Sequence, residues 1–303
     1  MPSTREVRRR IRSAKNIAQI TRAMEMVAAS RMKRAQQAVL AGRPYAEKIA
    51  GVIHNLAGRL QGSDADEIHP LLKSRPVKNA LVIMFTADKG LAGALNTNVI
   101  RRTTRFILNE ADAPVSMVAV GRKGRDFMVR YGRPLIAEFI NIGDRPSVRD
   151  IYPIARVATE EFTTGRVDAV YLVYTDYVNT LIQRPTVYRL LPIDVKGTGE
   201  EGDMPGDNRT QETEGDAVEY IYEPSPAEVL SQLVLRYVEV RVYQALLEHI
   251  ASEQSARMVA MRNATQSAKD MISDLTLAYN KLRQANITRE IIEVSSGATA
   301  LTS

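Results

Sequence analysis

The 303 residues include no cysteine, which excludes disulfides, thiol catalysis, thiolate zinc sites and a redox switch within the chain. Hydrophobic residues at 45% and charged ones at 25% suit a soluble protein of one or two domains, and no apolar run approaches the ~18 residues of a membrane-spanning helix. A formal charge of +6 invites an anionic partner, while aromatics at 6% with no tryptophan favour helices paired through Ala, Leu and Met over a sandwich or barrel.

Met1-Pro2-Ser3-Thr4 opens directly into a charged helical pattern without the apolar core of a signal peptide, predicting a soluble protein that works where it is made. From Ser3 to Ala41 there is neither Gly nor Pro. Ser3 or Thr4 is placed to cap a helix, and Glu6 sits in the first turn, where a negative charge suits the dipole. Val7, Ile11, Ala14, Ala18, Thr21, Ala28, Met32, Ala35 and Val39 follow a 4/3 alternation that Glu25 breaks. Ile17, Ile20, Met24 and Val27 widen the stripe on one side. Gly42-Arg-Pro44 is expected to kink or interrupt the helix, which resumes to about Leu60.

The middle of the chain changes period. Ala80–Phe85 is a continuous apolar run fit for a buried parallel strand. A Gly-rich turn follows, then a helix over about 94–109 and a strand at Val115–Val120. A short helix near 124–131, a strand near 135–140, a helix over about 147–163 and strands near 167–174 and 180–191 complete the series. The last two are read as an antiparallel hairpin. This alternation predicts an open Rossmann-like α/β sheet with helices on both faces. Val195–Val218, rich in Gly, Glu and Asp, reads as an acidic mobile surface loop.

No Gly or Pro occurs between Pro226 and Gly297, so one helix of about 70 residues, on the order of 100 Å long, is expected there. Its seam is read as Met261, Ala264, Ala268, Met271, Leu275, Ala278, Leu282 and Ala285, with spacings of 3 and 4. Such a helix needs a partner seam, and the N-terminal helix supplies one of similar Ala content. The fold is therefore α/β plus a long antiparallel coiled coil: N- and C-terminal helices paired as a shaft, around a central open sheet domain. Domain boundaries are placed at 1–60, 75–194, 195–218 for the loop, and 226–303.

The sequence offers little to chemistry. Thr86–Asn96 carries only G-x-x-G at Gly90 and Gly93, which matches neither a P-loop nor a dinucleotide fingerprint and reads as a tight strand-to-helix turn. Gly121-Arg-Lys-Gly-Arg125 has the look of a phosphate cradle, on one loop alone. His54, His69 and His249 are isolated, and no Ser-His-Asp set, carboxylate pair or metal-spaced cluster stands out. No catalytic, cofactor or metal site is expected. Ten Lys or Arg in the first 34 residues fit a nucleic acid or an acidic protein surface equally well. A basic coiled-coil nucleic-acid binder with the α/β domain as a dimerisation or ligand module remains the rival to a mechanical role. The C-terminal stretch places polar side chains on several faces from Arg283 to Glu293 and then turns small and apolar, as a tip held inside a sleeve of other chains would.

Three segments carry a family resemblance: Ile20-Thr-Arg-Ala-Met-Glu-Met-Val-Ala-Ala-Ser30, Asp88-Lys-Gly-Leu-Ala-Gly-Ala-Leu-Asn96 and Ile287-Thr-Arg-Glu-Ile-Ile-Glu-Val-Ser-Ser-Gly-Ala-Thr-Ala300. Together with Ala260–Thr265 and Tyr279–Ala285, they resemble the F-type ATP synthase gamma subunit, in the right order and over both ends and the domain between. The resemblance implies a non-catalytic central-stalk rotor. Its implied partners are three alpha and three beta subunits, the epsilon subunit and the membrane c-ring, with no nucleic acid and no membrane span. It implies a peripheral place on the cytoplasmic side of a bacterial cell membrane. By the same resemblance, Arg283, Gln284, Thr288 and Glu290 latch onto a beta loop. Met24, with the basic residues Arg31, Lys33 and Arg34, faces the acidic lever of beta near the foot. Ile291, Ile292, Val294, Gly297, Ala298 and Leu301 form the bearing tip. Some photosynthetic relatives carry an inserted regulatory segment with a cysteine pair; the shorter acidic loop here has no Cys, so thiol regulation is not expected.

Overall fold

The computed structural model describes residues 3–59, 69–111, 113–132, 134–193 and 222–302. The acidic loop assigned to 195–218 lies outside the described residues. The chain forms two compact units, one of Met1–Ala28 with Arg257–Ser303 and one of Ala29–Ala256.

The chain begins with α1 (Thr4–Arg59). Ser3 Oγ accepts from Glu6 N at 3.2 Å, an N-cap that satisfies one of the donors every helix start leaves over. α1 runs through Gly42 and Pro44 without the expected interruption. Pro44 removes one intrahelical hydrogen bond, but it is exposed, as is Leu40, four residues earlier, whose carbonyl would have received that bond. Water can serve that acceptor, so the helix tolerates the proline.

A sheet follows, built from β1 (Ala80–Phe85), β2 (Val115–Val120), β3 (Leu135–Phe139), β4 (Ala169–Tyr177) and β5 (Gln183–Leu191). The strand order is β3-β2-β1-β4-β5, parallel except for the antiparallel β4–β5 pair. Connecting helices are α2 (Leu95–Asn109), α3 (Arg122–Arg130) and α4 (Val148–Thr163), and the chain closes on α5 (Pro226–Thr302). α4 opens with a capping box in which Ser147 and Asp150 satisfy each other's end groups.

The six buried residues of β1 show why an unbroken apolar run was needed. Side chains alternate across a strand. Val82 and Met84 join a core with Val99 and Phe106 of α2 and Met128 of α3. Leu81, Ile83 and Phe85 join the opposite core with Ile151, Ile154 and Phe162 of α4, Ile49 and Ile53 of α1, and Val234, Val238 and Val242 of α5. Burying a large apolar side chain contributes about 1.5–3 kcal/mol, so both faces need a cover. The terminal helices supply part of it, which makes residues 29–59 and 226–256 structural members of the α/β unit.

Gly121 is the tightest point of this scaffold. Its φ is +96°, and a Cβ there would lie 1.9 Å from the Thr86 carbonyl oxygen. Gly121→Ala should therefore lower stability by roughly 2–4 kcal/mol in denaturant unfolding; a wild-type midpoint would contradict this close approach.

Candidate functional site

In open sheets of this kind ligands bind beyond the carboxyl ends of the strands, and exposed N–H groups at a helix start attract phosphate. Here that position is filled by the chain itself. The first N–H groups of α3 all have protein acceptors: Arg122 N donates to Asp88 Oδ1 at 2.9 Å, Lys123 N to the Ala87 carbonyl at 3.1 Å and Gly124 N to Thr86 Oγ1 at 2.8 Å. Asp88 Oδ2 also accepts from Asn141 N at 2.9 Å. The Gly121–Arg125 cradle is thus a structural clasp between the β1 and β2 turns, closed by a carboxylate where a phosphate would have sat.

The other unit is a pair of helices. Arg8 of α1 hydrogen-bonds Tyr279 of α5, the Thr21 and Thr265 hydroxyls lie 2.7 Å apart, and Arg262 Nε donates to Glu25 Oε1 at 3.1 Å. The residue numbers of each pair total 286 or 287, which defines one antiparallel register. Val7, Ala14, Thr21, Glu25, Ala28, Met261, Thr265 and Ala268 are buried along it, and Ile11, Ala18, Leu275 and Leu282 are half-buried.

Two readings of the sequence change here. Glu25 does not break the alternation; it occupies the seam at 6% exposure. Arg22 Nη1 donates to its Oε2 at 2.9 Å, completing the pair with Arg262. Burial pushes its pKa up, but the hydrogen bonds from Arg262 and Arg22 and their charges outweigh burial and leave the carboxyl below the ordinary glutamate value. The second change concerns α5. Met271 is 56% exposed and Ala278 is exposed, whereas Ala264 is half-buried. The contact line instead passes through Thr265, Ile272 and Tyr279, sharing Met261, Ala268, Leu275 and Leu282 with the predicted one. Both lines obey 3/4 spacing, and the partners Thr21 and Arg8 select the one with hydroxyl groups.

Each threonine hydroxyl has one proton. Thr21 Oγ1 also lies 2.9 Å from the Ile17 carbonyl and Thr265 Oγ1 lies 2.8 Å from that of Met261. One hydroxyl therefore donates across the seam while the other donates to its own helix. The apolar widening of α1 faces outward: Ile17, Ile20 and Val27 are 50–59% exposed, with Met24 half-buried.

By the same register, α5 runs out of described N-terminal partners near Arg283. Some 19 residues extend beyond it, about 30 Å of helix. Residues 283–296 are all exposed, including Arg283, Gln284, Thr288 and Glu290. Ile287, Ile291, Ile292 and Val294 are 47–74% exposed. The side chains of Gly297, Ala298 and Leu301 lie outside the described residues. In the α/β unit, Lys33 and Arg34 are exposed, but Arg31 is committed within the chain to an ion pair with Asp144.

The family model described as ATP synthase matches residues 3–301. The ATP synthase gamma chain of Roseiflexus castenholzii is 54% identical over 304 residues, covering 99% of each chain. Those of Dehalococcoides mccartyi and Chloroflexus aurantiacus are 50% and 48% identical, again over 99–100% of both chains. The chain belongs to the F-type ATP synthase gamma-subunit family. A chain in the cryo-EM structure of the Tetrahymena thermophila mitochondrial ATP synthase central stalk and c-ring matches with a TM-score of 0.60 at 25% identity, covering 81% of this chain and 99% of that one. A chain of the Euglena gracilis mitochondrial ATP synthase in rotational state 3 gives a TM-score of 0.65 at 19% identity over 98% and 94%, a likeness of fold.

As a gamma subunit, the chain should depend on Glu25 in a pH-dependent way. Because the folded pKa lies below the unfolded one, the stabilisation is present above the unfolded value and is lost as pH falls through the folded value. Glu25→Gln should cost about 1–2 kcal/mol at neutral pH, since Arg22 and Arg262 are more than 60% exposed and can rehydrate. The difference from wild type should vanish in acid; equal unfolding midpoints at neutral pH would contradict the pairing.

Proposed function

We propose that this gamma subunit is a rotor shaft, without a catalytic site of its own, that couples rotation of a membrane c-ring to the nucleotide states of an alpha/beta hexamer. The observation that carries the reading is the exposed length of α5 beyond Arg283, where no described residue of α1 lies opposite it in the register; it is polar on several faces and apolar at Ile287, Ile291, Ile292 and Val294. A lone helix with that much exposed apolar surface is unstable in water and calls for an enclosing partner. The outward stripe of Ile17, Ile20 and Val27 asks for the same enclosure lower on the pair.

In this reading the helical pair of residues 1–28 and 257–303 is the shaft, and residues 29–256, whose sheet the inner parts of both terminal helices cover, form the globular domain. The partners are three alpha and three beta chains, an epsilon subunit and the c-ring; neither nucleic acid nor a membrane span has a part. Among the described residues no helix is long and apolar enough to cross a membrane, so attachment on the cytoplasmic side of the bacterial membrane would come through those partners. Arg283, Gln284, Thr288 and Glu290 serve as a reversible latch to beta, because exposed hydrogen-bonding groups can be made and broken at low cost in water. Met24, Lys33 and Arg34 meet the acidic lever of beta. Arg31 would have to leave Asp144 to join them, so its share in that contact is the smaller.

Co-expression with alpha and beta chains should yield one copy per hexamer; strong, salt-sensitive DNA or RNA binding with no uptake into the hexamer would contradict the proposal. Arg283→Glu with Gln284→Leu should reduce coupled ATP synthesis while leaving the α/β unit folded, and an unchanged rate would remove the latch. Ala268→Pro should destabilise the helical pair by about 3 kcal/mol or more and uncouple the complex; full coupling would rule out a continuous shaft.

A further inference from the structure

The α/β unit holds a second group of buried charges that the seam does not use. Glu248 and Arg241 of α5 and Asp176 of β4 are each 2% exposed, and Tyr174 of β4 is fully buried. Gln244 Nε2 donates to Glu248 Oε1 at 3.3 Å, and Gln244 Oε1 accepts from Arg241 Nη1 at 3.4 Å. Glu248 Oε2 and the Tyr174 hydroxyl have no hydrogen-bond partner among the described residues. Two buried carboxylates on two elements, one with a bare oxygen, are an expensive arrangement while both are ionised.

Charged and titratable groups reach Glu248 from every element around it. Arg43 of α1 and Arg241 of α5 stabilise its charge, and Asp176 of β4 opposes it. Tyr174 of β4 and Tyr188 of β5 belong to the same network, and Arg184 of β5 faces Asp176. The guanidinium of Arg241 is shared with the Tyr237 ring at 4.9 Å and the Tyr188 ring at 5.9 Å. His249 adds no positive charge, because burial drives its pKa down to about 3. The balance pushes the Glu248 pKa up to about 7, with burial the largest cause and Asp176 next. Asp176 is raised as well, by burial, against Arg184 and Arg43.

We propose that Glu248 and Asp176 form a buried proton-binding pair that locks α5 onto β4 while it holds one proton and loosens that contact when it loses it. The contact is direct: Ser252 Oγ donates to the Thr175 carbonyl at 3.0 Å, one residue from Asp176 on β4 and one turn from Glu248 on α5. A proton on Glu248 replaces a carboxylate–carboxylate repulsion with a neutral group that can donate a hydrogen bond. Its loss leaves two negative charges in a dry site, and separating α5 from β4 to admit water is the available relief. The sign follows from a folded pKa above the unfolded one: stability from this pair is fully present at low pH and falls as pH rises towards about 7. The inference concerns the α/β unit and does not depend on the rotor role.

The test uses the full chain. Infrared difference spectra between pH 6 and pH 8.5 should show a protonated-carboxyl C=O band that disappears with a midpoint near 7. Glu248→Gln should abolish that band, and Asp176→Asn should move its midpoint downwards. The thermal midpoint of the wild type should fall by about 3–5 °C across this range, and that fall should be missing in Glu248→Gln. Should Glu248→Gln fail to fold, the wild-type band and its shift in Asp176→Asn decide the matter. Absence of the band at pH 6, or its persistence unchanged in Glu248→Gln, overturns the proposal.

Discussion

The register of the antiparallel pair in residues 3–28 and 257–302 is the constraint on which the functional reading rests. A seam of small side chains lets two helix axes approach closely, but it specifies their alignment poorly, because one alanine contact is much like the next. Glu25 supplies the missing specificity. Its carboxylate is buried between Arg22 and Arg262, and a pairing that separated it from Arg262 would weaken the compensation for a buried charge. The hydroxyl contact of Thr21 with Thr265 and the contact of Arg8 with Tyr279 repeat the same alignment. That alignment sets where α1 stops supporting α5, and so which residues are left for another chain to enclose.

The α/β unit solves a different problem with the same helices. Its sheet must be covered on both faces, and residues of α1 and α5 complete one of the two cores. At the ends of β1 and β2, where related architectures leave room for phosphate, Thr86 and Asp88 occupy the helix N–H groups and draw the loops together. The arrangement favours rigidity over ligand binding. The buried charges around Glu248 lie where α5 meets β4, so their protonation bears on how firmly the helix is held by the domain.

Much of the fold was legible because its signals are local. The apolar runs 80–85 and 115–120 gave strands with those bounds, and Ser147 marked the start of α4. The β4–β5 hairpin was also foreseen, although β4 begins later and ends later than the apolar pattern suggested. Pro44 misled, because its effect depends on whether the orphaned carbonyl faces water. Glu25 departs from the apolar pattern, yet the spacing from Thr21 through 25 to Ala28, with an arginine three residues earlier, is the signal in the sequence that marks it as a seam position. The predicted line through Met271 and Ala278 and the observed one through Ile272 and Tyr279 obey the same spacing, and only cross-helix partners distinguish them. Glu248, Asp176 and Tyr174 carried no pattern, being gathered from distant parts of the chain by the tertiary structure.

A shaft differs from a static scaffold in one property that can be watched directly. With the α/β unit of this chain labelled by a small bead and the alpha/beta hexamer fixed to a surface, ATP should drive the bead round in one direction. It should advance in three equal steps per turn, as the proposed set of three beta chains requires. ATP hydrolysis at full rate with the bead stationary would contradict the account.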